Sequence, residues 1–590
     1  MTAWNRPLLV VLLGSLATLT VATASAPLWD EDEARFAAIA RTMVETGDWV
    51  VPRFNGTLAV DKPVLMHWCM AACMKVFGVN EFAARLPSII ATLATALALL
   101  RAGRRWFDDA TGVIAALAYV GCLLVSIEAH AATPDAILTA LTAWGTLLVA
   151  ETVMPAAAAG RLQTCSLPAA VIAGLLLGLA VVCKGPIGFI GPLAVLGPWA
   201  WCVSARARAA ADGGAGSGLR RLAGAAVPAT VDALRCLRPV TLALAAAAAA
   251  APWYVAVAIR TDGAWTSGFF LVHNVGRFMA PMEKHGGGAL FHPLTMLVGF
   301  YPWSCFLPFA VVVAVWRLAR ARVMGVAADA TLLAVMWLVV WVGGFSAAAT
   351  KLPNYVLPAY PAAALLTAVI AVDAARRAAA GSWPHPRWMA TGIAALGFGG
   401  LATAATVIVA SRYGIPGAEA TAAVGFVPII GAATCWMLAT RRPLDAVAAF
   451  AVTGLVYAGL AVGPVQSRLA AANTLPGFVQ GIDRDREAAR LGTYLVSSPN
   501  VVFYARRPVT QLGDGSVGAV TAFLRSAPET VLLVPEEHFA AVEPALPPDY
   551  GIVGRTRPVF RPHDLLAVGR RTGTDAAPRT ATRVDQEPAR

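Results

Sequence analysis

Long apolar runs, broken by short polar turns, dominate the first 465 residues of the chain. A helix needs about 20 apolar residues to cross the hydrocarbon core of a bilayer. The N-terminal run is longer than the apolar part of a usual signal peptide and more runs follow it, so we interpret it as an uncleaved first span. Runs of this kind predict about thirteen spans, near 7–26, 84–101, 110–127, 133–151, 168–183, 186–203, 239–259, 292–316, 329–348, 355–372, 388–410, 418–440 and 444–463.

The loop at 27–83, between the first two spans, is too long and too patterned to be a simple connector. It opens as an amphipathic helix that continues through Met43, and a second apolar, aromatic stretch ends at Phe77. Both segments have the amphipathic character of helices that lie along a membrane surface. We expect two juxtamembrane helices here.

The C-terminal part differs from the rest of the chain. Between residues 466 and 571, β-prone runs at 501–504 and 531–534 alternate with helix-like pieces such as 516–526, which predicts a small α/β domain. We expect the tail at 572–590 to be disordered, and the Gly-rich segment at 204–238 to be a flexible linker. The predicted fold is thus an all-α polytopic membrane protein, residues 1–465, with a small extracytoplasmic α/β domain.

Basic residues fix the predicted orientation. With a cytoplasmic N-terminus, arginines fall in nearly every loop on the inner side, as the positive-inside rule requires. The long loop at 27–83 and the C-terminal domain then lie outside. For a bacterial chain this means the inner membrane, with the functional side facing the periplasm.

Composition narrows the class of protein. The chain of 590 residues is 58% hydrophobic and only 14% charged, which a single soluble core of this length would not need. The formal net charge is +12, but the basic residues punctuate apolar segments and do not form aromatic-interleaved patches. This pattern argues against a nucleic-acid partner.

Acidic residues cluster at the start of the first outer loop. Glu31, Asp32 and Glu33 follow Asp30, and Arg35 lies three residues after Asp32, on the same face of a helix. Asp32 and Glu33 are therefore candidate catalytic carboxylates. The alternative interpretation is a solvated helix start that the helix dipole stabilises.

Five basic residues break the positive-inside rule because they lie at outer ends of predicted spans. Cations that converge on one cavity would hold a phosphate at the level of the lipid headgroups; snorkelling is the alternative for each one alone. Tyr355 lies in the same compact outer turn as Lys351. The candidate phosphate-binding residues are Arg35, Lys62, Lys184, Arg277, Lys351 and Tyr355.

Two further positions complete the candidate site. Asp135 follows Thr133-Pro134 at a helix start, so its carboxylate is expected to face the outer cavity, which makes it a third candidate catalytic carboxylate. Helix capping alone would also explain it. His273 with Asp61 is one way to hold a divalent cation. That alternative stays open, and we assign no metal ligands or certain cofactor.

Ordered motifs between residues 29 and 361 resemble the protein O-mannosyltransferase superfamily of lipid-dependent membrane glycosyltransferases, glycosyltransferase family 39. The resemblance is strongest to the bacterial branch that includes the 4-amino-4-deoxy-L-arabinose lipid A transferases. It rests on Asp32-Glu33-Ala34-Arg35-Phe36, Gly47-Asp48-Trp49, Asp61-Lys62-Pro63, Arg85-Leu86-Pro87, Asp135, Lys184-Gly185, His273, Arg277-Phe278 and Lys351-Leu352-Pro353-Asn354-Tyr355.

The resemblance implies a GT-C fold and an inverting transfer of a sugar from polyprenyl (undecaprenyl) phosphate, with Asp32 as the essential carboxylate. Lipid A is the expected acceptor. Transfer of another sugar to protein or to another envelope glycoconjugate is an alternative. A lipid flippase or transporter, which also uses charges within the membrane, is a further one.

Overall fold

The structure, a computed structural model, is described for residues 5–19, 26–28, 31–154, 162–211, 218–276, 286–320, 325–382, 386–412, 419–465, 467–468, 472–496, 499–513, 515–557, 563–571 and 579–580. Its N-terminal part is helical. The helices are α1 Asn5–Leu19, α2 Glu31–Thr46, α3 Leu65–Phe77, α4 Glu81–Trp106, α5 Asp109–Val120, α6 Leu123–Ala129, α7 Asp135–Val153, α8 Leu167–Lys184, α9 Ile187–Ala211, α10 Gly218–Leu237, α11 Pro239–Arg260, α12 Ala264–Ser267, α13 Phe291–Gly299, α14 Leu307–Arg320, α15 Val326–Ala347, α16 Tyr360–Ala379, α17 Pro386–Arg412, α18 Phe426–Ala439 and α19 Pro443–Leu460.

Each predicted span has a helical counterpart in the structure. Within the described ranges, ten helices are long and apolar enough to cross a membrane, or eleven if the bent pair α5 and α6 counts as one. The predicted polytopic, mainly α-helical fold is confirmed. Both predicted helices of the first outer loop are present as α2 and α3, joined by a short hairpin of β1 Arg53–Phe54 and β2 Thr57–Leu58.

Two of the predicted spans are not continuous helices. The span at 110–127 bends by 66° between α5 and α6, where the backbone N–H of Leu123 donates to the carbonyl of Tyr301 at 3.0 Å. The span at 292–316 is broken between α13 and α14, with a 3₁₀ turn at Trp303–Cys305. Pro302 cannot donate a backbone hydrogen bond, which explains a break at this point.

The prediction of a flexible linker at 204–238 is wrong for most of its length. Residues 218–237 form α10, which packs along α9, and the Arg208 guanidinium makes two bonds of 2.6 and 2.8 Å to the carboxylate of Asp232. Helix α10 has a strongly amphipathic sequence, and packing of its apolar stripe provides the stability that a linker lacks. The Gly-rich part at 212–217 lies outside the described residues.

The C-terminal part contains the predicted α/β unit. Its elements are α20 Leu475–Asp485, β3 Arg490–Tyr494, α21 Pro499–Ala505, β4 Val509–Leu512, α22 Val517–Leu524, β5 Thr530–Pro535, α23 Glu536–Val542, β6 Tyr550–Thr556, β7 Leu565–Arg570 and β8 Arg579–Thr580. The sheet order is β4-β3-β5-β7-β6-β8, with β3 parallel to β4 and β5. The predicted run at 531–534 is strand β5.

Two details of this region differ from the predictions. The β-prone run at 501–504 is helix α21, not a strand, because it packs against α2 and makes contacts there that override its local preference. Part of the tail expected to be disordered, Arg579–Thr580, pairs in parallel with β6. The rest of 572–590 lies outside the described residues.

The α/β unit is anchored on the first outer loop. The Arg41 guanidinium on α2 donates to the carbonyls of Val502 and Phe503 at 3.3 and 2.7 Å. The side chain of Asn55 exchanges two hydrogen bonds, of 2.7 and 3.0 Å, with the backbone of Val509. Asn55 has a positive φ of 50°, a conformation that asparagine tolerates well, and this turn presents its amide to the strand. The candidate catalytic helix α2 therefore lies between the helical part and the α/β unit.

Indole groups fasten the rest of the loop to the helices beside it. Trp68, Trp253 and Trp265 each donate a ring N–H to a backbone carbonyl of residues 49–59, at 2.7, 3.0 and 2.7 Å. Arg260, at the end of α11, makes two bonds of 2.8 and 3.1 Å to the carboxylate of Asp48. Buried indole N–H groups need a partner, so these contacts hold the loop in one position.

Candidate active site

A buried ion pair supports the start of α2. Glu33 and Arg85 are 2% and 1% exposed. The Arg85 guanidinium makes two bonds of 3.1 and 2.9 Å to the Glu33 carboxylate and also donates to the carbonyls of Ala26 and Pro27, at 2.6 and 3.0 Å. The planar guanidinium thus joins the incoming chain, the first turn of α2 and the start of α4, a geometry that lysine could not reproduce.

Glu33 also links α2 to the beginning of α7. Its carboxylate accepts a 2.7 Å bond from the backbone N–H of Ala132, three residues before Asp135. Asp32, the neighbouring residue, is exposed in the same helical turn. Two of the three carboxylates predicted as catalytic therefore differ: Glu33 is enclosed among donors, whereas Asp32 is exposed to solvent.

Arg35 and the turn at 61–63 form a charged cluster next to Asp32. Arg35 donates to Asp61 at 3.2 Å, and its guanidinium lies over the ring of Phe54. Burial by itself would raise the pKa of Asp61, but the charges of Lys62 and Arg35 outweigh it and hold the pKa below its usual range. Asp61 is therefore ionised, and Arg35 and Lys62 form a cationic surface around it.

His67 lies behind this cluster. The ring is 1% exposed and packs edge-on to Phe36, with ring centroids 5.7 Å apart. Burial lowers the pKa of His67 to about 4, so the ring is neutral at neutral pH. A neutral ring adds no charge of its own to the cationic surface.

A second polar cluster lies where α7, α8 and the outer turn at 351–355 meet. Lys184 forms an ion pair with Asp135, and its ammonium lies over the Tyr355 ring, 5.1 Å from the centroid. Asn354 donates to the other oxygen of Asp135 at 3.2 Å. The structure therefore brings together Asp135, Lys184 and Tyr355, which sequence analysis predicted as parts of one site.

The remaining candidates are placed differently. Lys351 is buried, and its ammonium donates to the carbonyls of Phe345, Ser346 and Ala348, at 3.3, 2.6 and 2.6 Å. In this position Lys351 caps the C-terminal end of α15. Arg277 lies outside the described residues.

The alternative of a cation held by His273 and Asp61 also stays a prediction. In the part of the chain that the structure describes, no three His, Cys, Asp or Glu side chains come together as metal ligands would. Asp61 already has Arg35 as its partner.

Sequence reasoning missed three polar side chains of this candidate site. Arg85 was noted only as part of a motif, and nothing in its own surroundings indicates a partner 52 residues away. Asn354 has a polar side chain in a recognised motif, which is a signal that could have been used. Glu128, which accepts a 2.8 Å bond from the Thr133 hydroxyl, lies in an apolar run where a buried carboxylate is unusual enough to draw attention.

Comparisons with known proteins agree with the motifs. Residues 61–211 match the family model "Dolichyl-phosphate-mannose-protein mannosyltransferase". An undecaprenyl phosphate-α-4-amino-4-deoxy-L-arabinose arabinosyl transferase of Erwinia tasmaniensis is 28% identical over 437 residues, 71% of each chain. A protein of the same name from Aeromonas salmonicida is 30% identical over 379 residues, which are 63% of this chain but only 60% of the relative.

The fold is shared with a solved structure along nearly its whole length. The crystal structure of ArnT from Cupriavidus metallidurans bound to undecaprenyl phosphate superposes with a TM-score of 0.75 at 20% identity, and the match covers 98% of this chain and 100% of that one. The same protein in the apo state gives 0.72. In its motifs, its relatives and its fold, this chain is thus similar to lipid-dependent membrane glycosyltransferases of the GT-C type, among them the bacterial aminoarabinosyl transferases.

Proposed function

We propose that this protein transfers 4-amino-4-deoxy-L-arabinose from undecaprenyl phosphate to lipid A, at the periplasmic face of the bacterial inner membrane. The names of the relatives support the donor and the sugar. The bound undecaprenyl phosphate in the solved neighbour supports the lipid carrier. The periplasmic side follows from the basic residues of the predicted inner loops.

One observation carries the proposal: an exposed carboxylate, Asp32, lies one helical turn from a partly exposed cation, Arg35, and Lys62 adjoins the Asp61 partner of that cation. A lipid-linked sugar phosphate presents an anion next to the bond that must break. Transfer from such a substrate requires cations beside the phosphate, to stabilise its charge, and a carboxylate beside the acceptor. Lipid carriers are also suited to this side of the membrane, because nucleotide sugars are absent there.

In the proposed reaction, an oxygen of the acceptor forms a bond to the anomeric carbon. The bond between that carbon and the phosphate oxygen breaks with inversion, and undecaprenyl phosphate leaves with the electron pair. Arg35 and Lys62 stabilise the negative charge that grows on the leaving phosphate. Asp32 accepts the proton of a hydroxyl acceptor, or orients the acceptor if it is a lipid A phosphate, which is already anionic.

The buried residues receive supporting roles in this scheme. Glu33 is fully engaged by Arg85 and Ala132, so we assign it to positioning Asp32 and not to proton transfer. Asp135 orients Lys184 beside Tyr355, from where the ammonium reaches the donor phosphate or the sugar. Lys351 caps α15 and so fixes the turn that carries Tyr355.

The test is a transfer assay with purified full-length protein in liposomes. The donor is undecaprenyl phosphate-linked aminoarabinose, the acceptor is lipid A, and mass spectrometry follows both. We expect lipid A to gain one aminoarabinose while free undecaprenyl phosphate appears in equal amount. Transfer to added protein, or from a polyprenyl-phosphate hexose only, would contradict the proposed sugar and acceptor. Movement of labelled lipid across the bilayer without any transfer would instead support a flippase.

A further inference from the structure

An apolar cavity lies on the other side of the helical part from the candidate active site. It has a volume of about 90 Å³ and lies between α14, α16, α17, α18 and α19. Its walls combine aromatic rings, among them Phe306, Phe309 and Phe450, with small side chains such as Ala374 and Ala446. The space is narrow, and walls this apolar suit a hydrocarbon chain and not a sugar or a phosphate.

The cavity is close to the helix ends that carry the basic residues. Ala375 in its wall precedes Arg376, Pro443 follows Arg442, and Met389 lies two residues after Arg387. By the positive-inside rule these ends face the cytoplasm, so the cavity is in the inner-leaflet half of the protein. Trp388 next to Met389 is 47% exposed and stacks on Phe309, as an aromatic residue at a membrane interface does.

Positive charge is in excess at the helix ends next to the cavity. Three aspartates, Asp108, Asp373 and Asp445, pair with some of the arginines there. Anionic lipids of the cytoplasmic leaflet are attracted to clusters of this kind. The arginines at these helix ends are Arg317, Arg320, Arg376, Arg377, Arg387, Arg441 and Arg442.

We propose that this cavity binds one acyl chain of an anionic phospholipid from the inner leaflet, with the headgroup held by Arg441, Arg442 and their neighbours. The apolar walls fit a hydrocarbon chain, and the charge at these helix ends selects the headgroup. A polyprenyl carrier whose phosphate lies at the outer active site would place no phosphate at these arginines. The inference is independent of the proposed function, because it uses none of the residues of that site.

Filling the cavity tests the apolar part of the proposal. Purified full-length protein is delipidated in detergent, mixed with dioleoylphosphatidylglycerol, and analysed by native mass spectrometry for retained lipid. Ala446→Trp and Ala374→Trp fill the cavity from two different helices. Ala448→Trp and Ala379→Trp place the same side chain at exposed positions of those helices and serve as matched controls. We expect retention to fall about tenfold in the first pair only, the loss that about two displaced CH₂ groups would cause.

Replacing the headgroup tests the electrostatic part. Dioleoylphosphatidylcholine has the same acyl chains but no net charge, so we expect the wild-type protein to retain it more weakly than dioleoylphosphatidylglycerol. The double variant Arg441→Gln with Arg442→Gln should abolish this difference in retention between the two lipids. Arg105→Gln, an exposed arginine at the end of another helix, is the control. Gel filtration confirms that each variant is folded.

Three outcomes overturn the proposal. The first is equal lipid retention in cavity and control variants. The second is equal retention of the two lipids by wild-type protein. The third is that undecaprenyl phosphate, added in excess, displaces the bound phosphatidylglycerol from the cavity. If one cavity variant does not fold, the other decides the result.

Discussion

Removing the carboxylate charge of Glu33 should destabilise the protein strongly. In Glu33→Gln, the Arg85 guanidinium, which is 1% exposed, keeps its two backbone carbonyl partners but loses its ionic one. Removing one partner of a buried ion pair costs about 3–5 kcal/mol, because the other charge stays buried without compensation. The start of α2 should move with it, since Glu33 also accepts the Ala132 N–H.

The free energy of unfolding is measured by titration of the detergent-solubilised protein with sodium dodecyl sulfate. Replacement of both partners, Glu33→Leu with Arg85→Met, should recover much of the loss, because hydrophobic residues of similar volume often substitute for a buried pair at little cost. Transfer should stay impaired in the double variant, since Asp32 loses its support. Glu543→Gln, which changes an exposed acid of the α/β unit, is the control.

A result within about 1 kcal/mol of wild type for Glu33→Gln would refute this reasoning, because it lies far below the cost of an unpaired buried charge. Full transfer activity in the double variant would refute the positioning role alone. The two readouts therefore separate the contribution of the pair to stability from its contribution to the site.

Three further predictions concern neighbouring parts of the structure. His67 is protonated below about pH 6.5 in the unfolded chain but only below about pH 4 in the folded chain, so the free energy of unfolding should fall by about 1.4 kcal/mol per pH unit as pH drops through this window. His67→Gln should reduce this dependence of the unfolding free energy on pH. An unchanged slope in the variant would contradict the assignment to His67. Asp135→Asn should leave Lys184 without its carboxylate and raise the KM for donor, whereas an unaltered KM would exclude Asp135 from the donor site. Arg41→Met should cost about 1–3 kcal/mol and increase hydrogen–deuterium exchange at 499–505, and unchanged exchange there would show that this contact does not hold the α/β unit.

Hydropathy predicted the helical part well because lipid imposes a simple requirement. Every backbone polar group in the hydrocarbon core must be paired, so a sufficiently long apolar run becomes a helix almost regardless of its neighbours. The helices of the first outer loop were predicted for a related reason, since their apolar faces repeat with the helical period. The break at Pro302 and the bend between α5 and α6 depend on contacts between distant segments, which periodicity does not report.

The α/β unit shows where local preference fails. Residues 501–504 are rich in valine and aromatic residues, which favour strands, yet they form a helix. The Tyr504 hydroxyl accepts from the Leu28 N–H at 2.8 Å and donates to Glu81 at 2.9 Å. Such contacts across the fold outweigh a preference worth at most about 1 kcal/mol per residue.

The candidate site was predicted in part, for reasons of chemistry. Charged side chains at the outer ends of apolar spans are costly and therefore informative, which led to Asp135 and Lys184. The same reasoning assigned Lys351 to a phosphate, although the structure has its ammonium on three carbonyls at the end of α15. Lys351 lies four residues beyond the end of α15 at Ala347, and a lysine just past a helix end can donate to the last carbonyls of that helix.

The proposed transfer reaction depends most on the exposed carboxylate of Asp32, at the start of α2. Asp32→Asn keeps the shape of the side chain and removes its charge, so it should lower transfer of aminoarabinose to lipid A by about 10²-fold or more, whether Asp32 deprotonates the acceptor or orients it, with expression and donor binding unchanged. The liposome assay with wild-type protein and the Glu543→Gln control measures this directly. Transfer by Asp32→Asn within about threefold of wild type, far smaller than the loss of a catalytic acid–base group, would contradict the central claim.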